Sequence, residues 1–402
     1  MVRFNLEGEP ISPPGRKRPG YEVEGSFEPE QAASQRLSPC SQTINRLAAL
    51  FKIIASLLVV SAFMTGCLGT KPILKIGLVA PFEGLGRPLG YDVLYAVKVA
   101  IQERNSSGGT GGYMVALVAL DDGDDPKTAI QRAREMTTDP DVVGVIGHFS
   151  LKTCRATEEE YQRAGLATLS PLAQADFSIY APDELTGAEA ARYAVEELKA
   201  SRFALLCERE SLAEAFIGEA ERLGGNAVAR ASLACDDRKV LEARPDLIFF
   251  CGPVVEAADC VQKLRQAGSR ATFMGGSEML SQHWLKAGRE ASEGAFYIAS
   301  TPPLEEIPAW EDFASAYQAL AGHPPGPYAA LAYDAANVLL AAIERAAESG
   351  RPTREAVAAA LKETNWRGFT GPIAFDAEGN RLETPLYMYQ IVESRSVVRR
   401  IR

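Results

Sequence analysis

Histidine is almost absent from this chain: His148, His283 and His323 are the three in 402 residues. No G-x-S-x-G turn occurs either, so hydrolase chemistry built on a serine nucleophile and an imidazole base has little to work with. Cysteine is scarce as well. The seven residues include no C-x-x-C pair, which excludes a zinc framework and a disulfide-dense scaffold. Positive charge is in deficit, with 42 Lys and Arg against 52 Asp and Glu, and a net charge of -10 argues against a nucleic-acid surface. The uncharged apolar stretch Ile53 to Phe63 falls short of the roughly 20 apolar residues that a bilayer-spanning helix needs. What is plentiful is ordinary globular material: 47% of the residues are hydrophobic, and Lys71 to Arg402 is long enough for two domains.

The short apolar stretch has a different meaning. It follows Arg46 and Lys52 and runs into Met64-Thr65-Gly66-Cys67. A positive flank, a brief apolar segment and small residues ahead of a break are the parts of a secretory signal. A cysteine directly after Thr65-Gly66 makes the break resemble a bacterial lipobox, in which cleavage precedes Cys67 and its thiol carries diacylglycerol. The alternatives are an uncleaved anchor or a buried helix. Met1 to Thr43 is rich in Pro, Gly, Glu, Ser and Arg without apolar periodicity, and it cannot offset the entropy of ordering. Residues 1–66 therefore read as a disordered extension plus a lipoprotein signal, unless translation begins further downstream. Everything after Cys67 is expected outside the cytoplasmic membrane, tethered by lipid.

From Lys71 onward the pattern is strand, helix, strand. Ile73 to Ala80 is rich in branched aliphatics and stops at Pro81, as a buried strand does. Val93, Ala96, Val97, Ala100 and Ile101 then recur at helical spacing. Tyr113 to Leu120 is a second strand, and Asp125-Pro126 supplies a cap and a first-turn proline for the helix Lys127 to Thr137. Val142 to Ile146 and a segment opening at Ala167 are the next strands, with a helix from about Lys152 to Ala164 between them. The pattern restarts with helices at Ala188 to Leu198, Leu212 to Leu223 and Val254 to Gln266. Its strands are Phe203 to Cys207, Ala227 to Leu233, Leu247 to Phe250, Thr272 to Met274 and Phe296 to Ala299. Helices at Tyr328 to Ala347 and Thr353 to Lys362 precede a closing hairpin or late strand at Leu386 to Ile391. Alternation of this kind predicts α/β architecture, as two doubly wound parallel-sheet lobes.

Cys207, Cys235 and Cys251 fall at or near the ends of second-lobe strands. A doubly wound order makes the strands of Cys207 and Cys251 neighbours, so a bridge between them is conceivable. Free thiols are the preferred expectation, because cysteine often fills space between adjacent parallel strands and bridge geometry is restrictive. Asp121, Asp122, Asp124 and Asp125 lack the spacing of a calcium loop and read as capping residues.

Several short segments, taken in order, carry a family resemblance. They are Lys75-Ile76-Gly77 with Pro81, Gly90-Tyr91, Asp121-Asp122 with Asp125-Pro126, and Val145-Ile146-Gly147-His148. Phe273-Met274-Gly275, Tyr333-Asp334-Ala335-Ala336, Gly371-Pro372-Ile373, Phe375-Asp376 and Gly379-Asn380 follow. In this order, from about Ile73 to about Val397, the chain resembles the type I periplasmic binding proteins of the leucine/isoleucine/valine-binding branch, which serve ABC importers. The resemblance implies two lobes joined by a three-segment hinge. Residues 71–184 and 303–382 form the first and 185–302 and 383–402 the second. It also implies no enzyme activity, no cofactor, no metal, a small-molecule solute in the interlobe cleft, an ABC permease as partner, and a monomer.

The resemblance carries candidate ligand residues to this chain one by one. After the third strand the segment Phe149-Ser150-Leu151 puts Leu151 where a serine is usual, with Ser150 one residue early. After the fourth, Leu172, Ala173 and Gln174 offer backbone groups, with Gln174 in the place of a threonine. Pro253 stands where an aromatic is common, and Glu278 is available as an acidic ammonium partner after a one-residue shift. Tyr91 opens the first long helix. Each has a structural alternative: Ser150 as a helix cap, Tyr91 as a packed loop aromatic, Glu278 as an exposed charge, and His148 as a loop-orienting group. The loss of hydroxyls weakens an amino-acid site, since hydroxyl partners confer a specificity that apolar substitutes do not reproduce. The expected ligand is thus a small organic solute with a carboxylate or amide and an apolar body, with aliphatic amino acids as runner-up. An extracytoplasmic sensor of the same fold is an alternative. A dinucleotide enzyme is the rival from another class, because Gly84-x-Gly86-x-x-x-Gly90 follows the first strand; its third glycine is displaced and Pro88 intrudes.

Overall fold

A computed structural model describes residues 71–401 apart from 234, 236 and 281. Cys67 and the apolar segment before it lie outside the described residues. The first sheet is built from β1 (Ile73–Ala80), β2 (Met114–Asp121), β3 (Val142–Ile146), β4 (Thr168–Ser170) and β5 (Phe177–Ser178). Its order is β2-β1-β3-β4-β5 and every pairing is parallel. The helices that connect these strands are α1 (Arg87–Ser106), α2 (Pro126–Thr138) and α3 (Leu151–Arg163). Asp125 caps α2, accepting from the Thr128 N–H at 2.9 Å, with Pro126 in the first turn.

The second sheet contains β6 (Arg202–Cys207), β7 (Asn226–Ala231), β8 (Leu247–Cys251), β9 (Thr272–Gly275), β10 (Phe296–Ala299), β13 (Tyr387–Val392) and β14 (Arg395–Ile401). Its order is β14-β13-β10-β9-β8-β6-β7. The five central and far strands run parallel, while β13 joins β10 antiparallel and β14 joins β13 antiparallel. The helices here are α4 (Asp183–Glu196), α5 (Glu210–Arg222), α6 (Asp237–Ala243), α7 (Val254–Gln266) and α8 (Gln282–Gly288). The remaining helices, α9 (Trp310–Ala321), α10 (Ala329–Ala347) and α11 (Arg354–Lys362), return to the first sheet, beside the short ribbon β11 (Trp366–Gly368) and β12 (Gly371–Ile373).

Strands of this composition are buried because both faces are covered. Along β6 and β8, Phe203, Leu205, Leu247, Phe249 and Cys251 enter one core, and Ala204, Leu206, Ile248 and Phe250 enter the core on the opposite face. A parallel sheet between two helical layers therefore reads as a continuous apolar run rather than an alternation. In the first half, Leu74, Ile76, Leu78 and Ala80 of β1 join α1 and α10 in the largest core. Gly90 belongs to this packing: a Cβ there would collide with the Pro81 carbonyl oxygen, so the start of α1 lies directly against the end of β1.

Two buried carboxylates fix the return of the chain. Asp92 on α1 accepts from Gly326 N at 2.7 Å, Tyr328 N at 2.8 Å and the Tyr317 hydroxyl at 3.0 Å, which holds the turn that opens α10. Asp334 on α10 accepts from Phe369 N and Thr370 N, each at 2.8 Å, and from the Thr370 hydroxyl at 2.6 Å.

The chain passes between the sheets three times, over 179–182, 300–309 and 382–386. The Ala181 N–H donates to Ser300 Oγ at 3.2 Å, linking the first passage to the second. Next to the third, Arg381 is only 2% exposed, and its guanidinium donates to the carbonyls of Ile179, Thr370 and Pro372.

The cysteines correct the expectation of free thiols. Cys207 is bridged to Cys251 and Cys235 to Cys260, with Cα separations of 4.5 and 5.4 Å, and Cys154 is the free, buried one among the described residues. The reason is register. Strands β6 and β8 pair so that Cys207 lies directly opposite Cys251.

Candidate ligand-binding site

In open α/β sheets the loops beyond the carboxyl ends of the strands form the ligand crevice. In the first half these are the segments after β1, β2, β3 and β4, and they hold seven of the sequence-based candidates. Tyr91 is half-buried in an aromatic row: its ring meets Phe82 edge-on at 5.8 Å and Tyr95 at 6.2 Å, and the Arg87 guanidinium lies 5.2 Å from its centroid. Phe149 is buried and packs into the first-half core. Ser150 occupies the cap position of α3 without capping it. Its hydroxyl instead donates to Asp124 Oδ1 at 2.5 Å and lies 2.9 Å from the Thr153 hydroxyl. Asp124 also pairs with Lys152 at 2.9 Å, so the protein places its own carboxylate at the start of α3.

The segment after β4 is also satisfied from within. The Ser170 hydroxyl accepts from Ala173 N at 3.0 Å and Leu172 N at 3.4 Å, while donating to the His148 carbonyl at 2.6 Å. Leu172 and Leu151 are half-buried and Ala173 is buried. Gln174 is exposed and lines a groove of about 540 Å³ that runs beside α3 and α11, with Arg155, Glu158, Lys362 and Glu378 on its walls. His148 serves the loop, as the sequence suggested. It is 1% exposed, with Nδ1 2.6 Å from Asp122 and Nε2 3.2 Å from the Tyr161 hydroxyl.

In the second half, Pro253 is exposed at the cap of α7, immediately after β8. Glu278 follows β9 and is half-buried, with its carboxylate 3.7 Å from Arg209 Nη1. Burial pushes the Glu278 carboxyl above its ordinary range, and Arg209 opposes that rise. Arg209 comes from the loop after β6 and pairs mainly with Asp183: Nη2 bonds Oδ1, and Nε lies 3.3 Å from Oδ2.

Sequence reasoning missed Arg209, Asp183 and Tyr328. The signal available for Arg209 was its place two residues beyond the end of β6. Tyr328, which opens α10 in the first half, has its phenol pushed up by burial first, then by the charges of Glu278 and Asp92. Tyr180, in the first passage between the sheets, feels Arg209 of the second half and Arg155 of the first. Glu278 and Arg209 both follow strands of the second sheet, at their carboxyl ends, and lie 3.7 Å apart. The arrangement offers charge, hydroxyls and apolar walls.

A family profile described as periplasmic binding protein matches residues 73–396. The chain belongs to that family. Among its relatives is the leucine-, isoleucine-, valine-, threonine- and alanine-binding protein of Pseudomonas aeruginosa, 25% identical over 367 residues, or 86% of this chain and 95% of that protein. The structure of a leucine-binding protein from Thermotoga maritima superposes with a TM-score of 0.74 at 22% identity, covering 82% of this chain and 98% of that one. A solute-binding protein from R. palustris solved with benzoate gives a TM-score of 0.71 at 17% identity, covering 82% and 96%. The fold is the type I periplasmic binding fold of the Leu/Ile/Val-binding kind, and the family binds solutes rather than catalysing reactions. This removes the dinucleotide-enzyme alternative: Pro88 lies in the first turn of α1, and Gly90 serves the contact with Pro81. The family's place is outside the cytoplasm, and no helix among the described residues is long and apolar enough to cross a membrane.

Proposed function

We propose that this chain is the extracytoplasmic solute-binding subunit of an ABC importer of the branched-chain amino acid type. It takes a small amino-acid-like, carboxylate or amide solute between two lobes, 71–184 with 303–382 and 185–302 with 383–402. A monomer delivers the solute to a membrane permease, held to the membrane by lipid at Cys67. The observation that carries this reading is the pair of open parallel sheets joined by three passages, with Glu278 and Arg209 at strand ends of the second sheet. Two halves meeting at their strand ends favour hinge closure on a ligand, provided the solute binds the closed state better than the open one.

Tyr91, Leu151, Leu172, Pro253 and Glu278 remain the candidates best placed to line the site, with Arg209 and Tyr328 added. Phe149, Ser150 and Ala173 support the loops from behind, and Gln174 belongs to the side groove. A thermal-shift screen of amino acids, amides, short aliphatic acids and aromatic acids tests the proposal. A solute present at about 100 times its Kd stabilises the fold by about 2.7 kcal/mol. A well-folded protein that responds to none of these classes contradicts import and favours a sensor or protein-binding role. Cys67→Ala is expected to abolish palmitate labelling, and equal labelling of both forms removes the anchor.

A further inference from the structure

The chemistry of an α-amino acid makes two demands on a pocket, one for its carboxylate and one for its ammonium. The first-half groups nearest to these tasks are already engaged: the Ser150 hydroxyl by Asp124 and Thr153, and the Leu172 and Ala173 N–H groups by Ser170. In the second half, Glu278 is an acidic group placed just beyond the end of β9 and half-buried. Its charged partner among the described residues is Arg209, at 3.7 Å. Arg209 cannot swing away freely, because Asp183 holds its guanidinium through both Nε and Nη2, and the Ser211 hydroxyl donates to Asp183 at 2.5 Å. A positive charge fixed against Glu278 lowers the affinity of that carboxylate for any second cation and raises that of the site for an anion or a neutral dipole.

We propose that Arg209 determines specificity: held by Asp183, it withdraws Glu278 from the role of ammonium partner, so that the solute recognised lacks an α-ammonium group. This rests on the solute-binding reading above and narrows its ligand class to carboxylates or amides. It also gives a physical role to a residue whose neighbours in sequence, Glu208 and Glu210, would otherwise make this loop purely acidic.

The test uses matched pairs that differ only in the ammonium: leucine with 4-methylpentanoate, and phenylalanine with 3-phenylpropanoate. Binding to the mature protein is read by isothermal titration and by thermal shift. The wild type is expected to favour the deaminated member of at least one pair. Arg209→Met shifts that preference toward the amino acid by about tenfold or more, since a full charge beside Glu278 is removed. Glu278→Gln leaves the Arg209–Asp183 contact in place and keeps the proposal falsifiable if Arg209→Met folds poorly. It is expected to strengthen binding of the acid and leave the amino acid no weaker. A tenfold loss of leucine or phenylalanine binding in Glu278→Gln would show that Glu278 holds the ammonium and would overturn the role given to Arg209 while sparing the solute-binding reading. An unchanged preference in Arg209→Met does the same. Failure of all four probes to bind any of the three forms contradicts the solute-binding reading and the Arg209 proposal with it.

Discussion

Arg381→Met is expected to destabilise the protein more than almost any other single change outside the apolar cores. The guanidinium is 2% exposed and donates to Pro372 O at 2.8 Å, Ile179 O at 3.1 Å, Thr370 Oγ1 at 3.1 Å and Thr370 O at 2.6 Å. Burial lowers its pKa to about 10, with nearby Asp334 opposing, so it stays charged at neutral pH. Methionine keeps part of the apolar stem and removes every donor. Each carbonyl left buried and unpaired costs about 1–3 kcal/mol, partly relieved where water enters. Asp334 also loses the cation that partly offsets its own burial. Removing one member of such a buried charged network costs about 3–5 kcal/mol in total. At about 2 °C per kcal/mol for a chain of this size, the midpoint falls by about 6–10 °C. Thermal unfolding followed by circular dichroism measures it, with Arg351→Met as the control. Arg351 is exposed and pairs with Asp141, and a surface pair contributes about 0–1 kcal/mol. A fall in the Arg381 variant no larger than in the control would refute the view that this guanidinium fixes the first and third passages together.

Under denaturing, non-reducing conditions one thiol is expected to react among Cys154, Cys207, Cys235, Cys251 and Cys260, and all five after reduction; three or more before reduction contradicts the two bridges. Glu219 is held down to about 2, first by hydrogen bonds from Arg222, then by those from Arg192. A carboxylate depressed in this way stabilises the fold above its unfolded pKa of about 4.3, and the contribution is lost as pH falls from there toward the folded value. Glu219→Gln is therefore expected to flatten the acid limb of a stability-versus-pH curve between pH 4.5 and 2, and an unchanged limb counts against the pairing.

The parallel strands were legible because burial on both faces leaves an unbroken aliphatic run. Phe296–Ala299 and Val142–Ile146 fall where composition places them, and Val254–Gln266 does so through its helical spacing. The aromatic helix Trp310–Ala321 was missed even though Trp310, Phe313 and Tyr317 recur at helical spacing, because Pro302, Pro303 and Pro308 just before it read as loop. The seven-residue helices α6 and α8 are too short for periodicity to declare them. Bridging of Cys207 to Cys251 depends on which residue of β6 faces which residue of β8, a register that sequence alone does not print. Glu278 and Tyr91 were chosen from their places, one just after β9 and the other in the second turn of α1. What the sequence did not print is that polar groups of Ser150 and Ala173 are already taken, the Ser150 hydroxyl by Asp124, 26 positions away, and the Ala173 N–H by the Ser170 hydroxyl. Arg209 escaped notice for the converse reason: Asp183 and Glu278 lie 26 and 69 positions away along the chain, and only folding brings them together.

A small solute held between the two halves is expected to draw them together. Small-angle X-ray scattering of the mature protein tests this directly, without solute and then saturated with whichever compound stabilises it most in the thermal screen. The expected result is a smaller radius of gyration on saturation, with the change lost in a variant that no longer binds. A saturated protein whose radius of gyration is unchanged contradicts the claim.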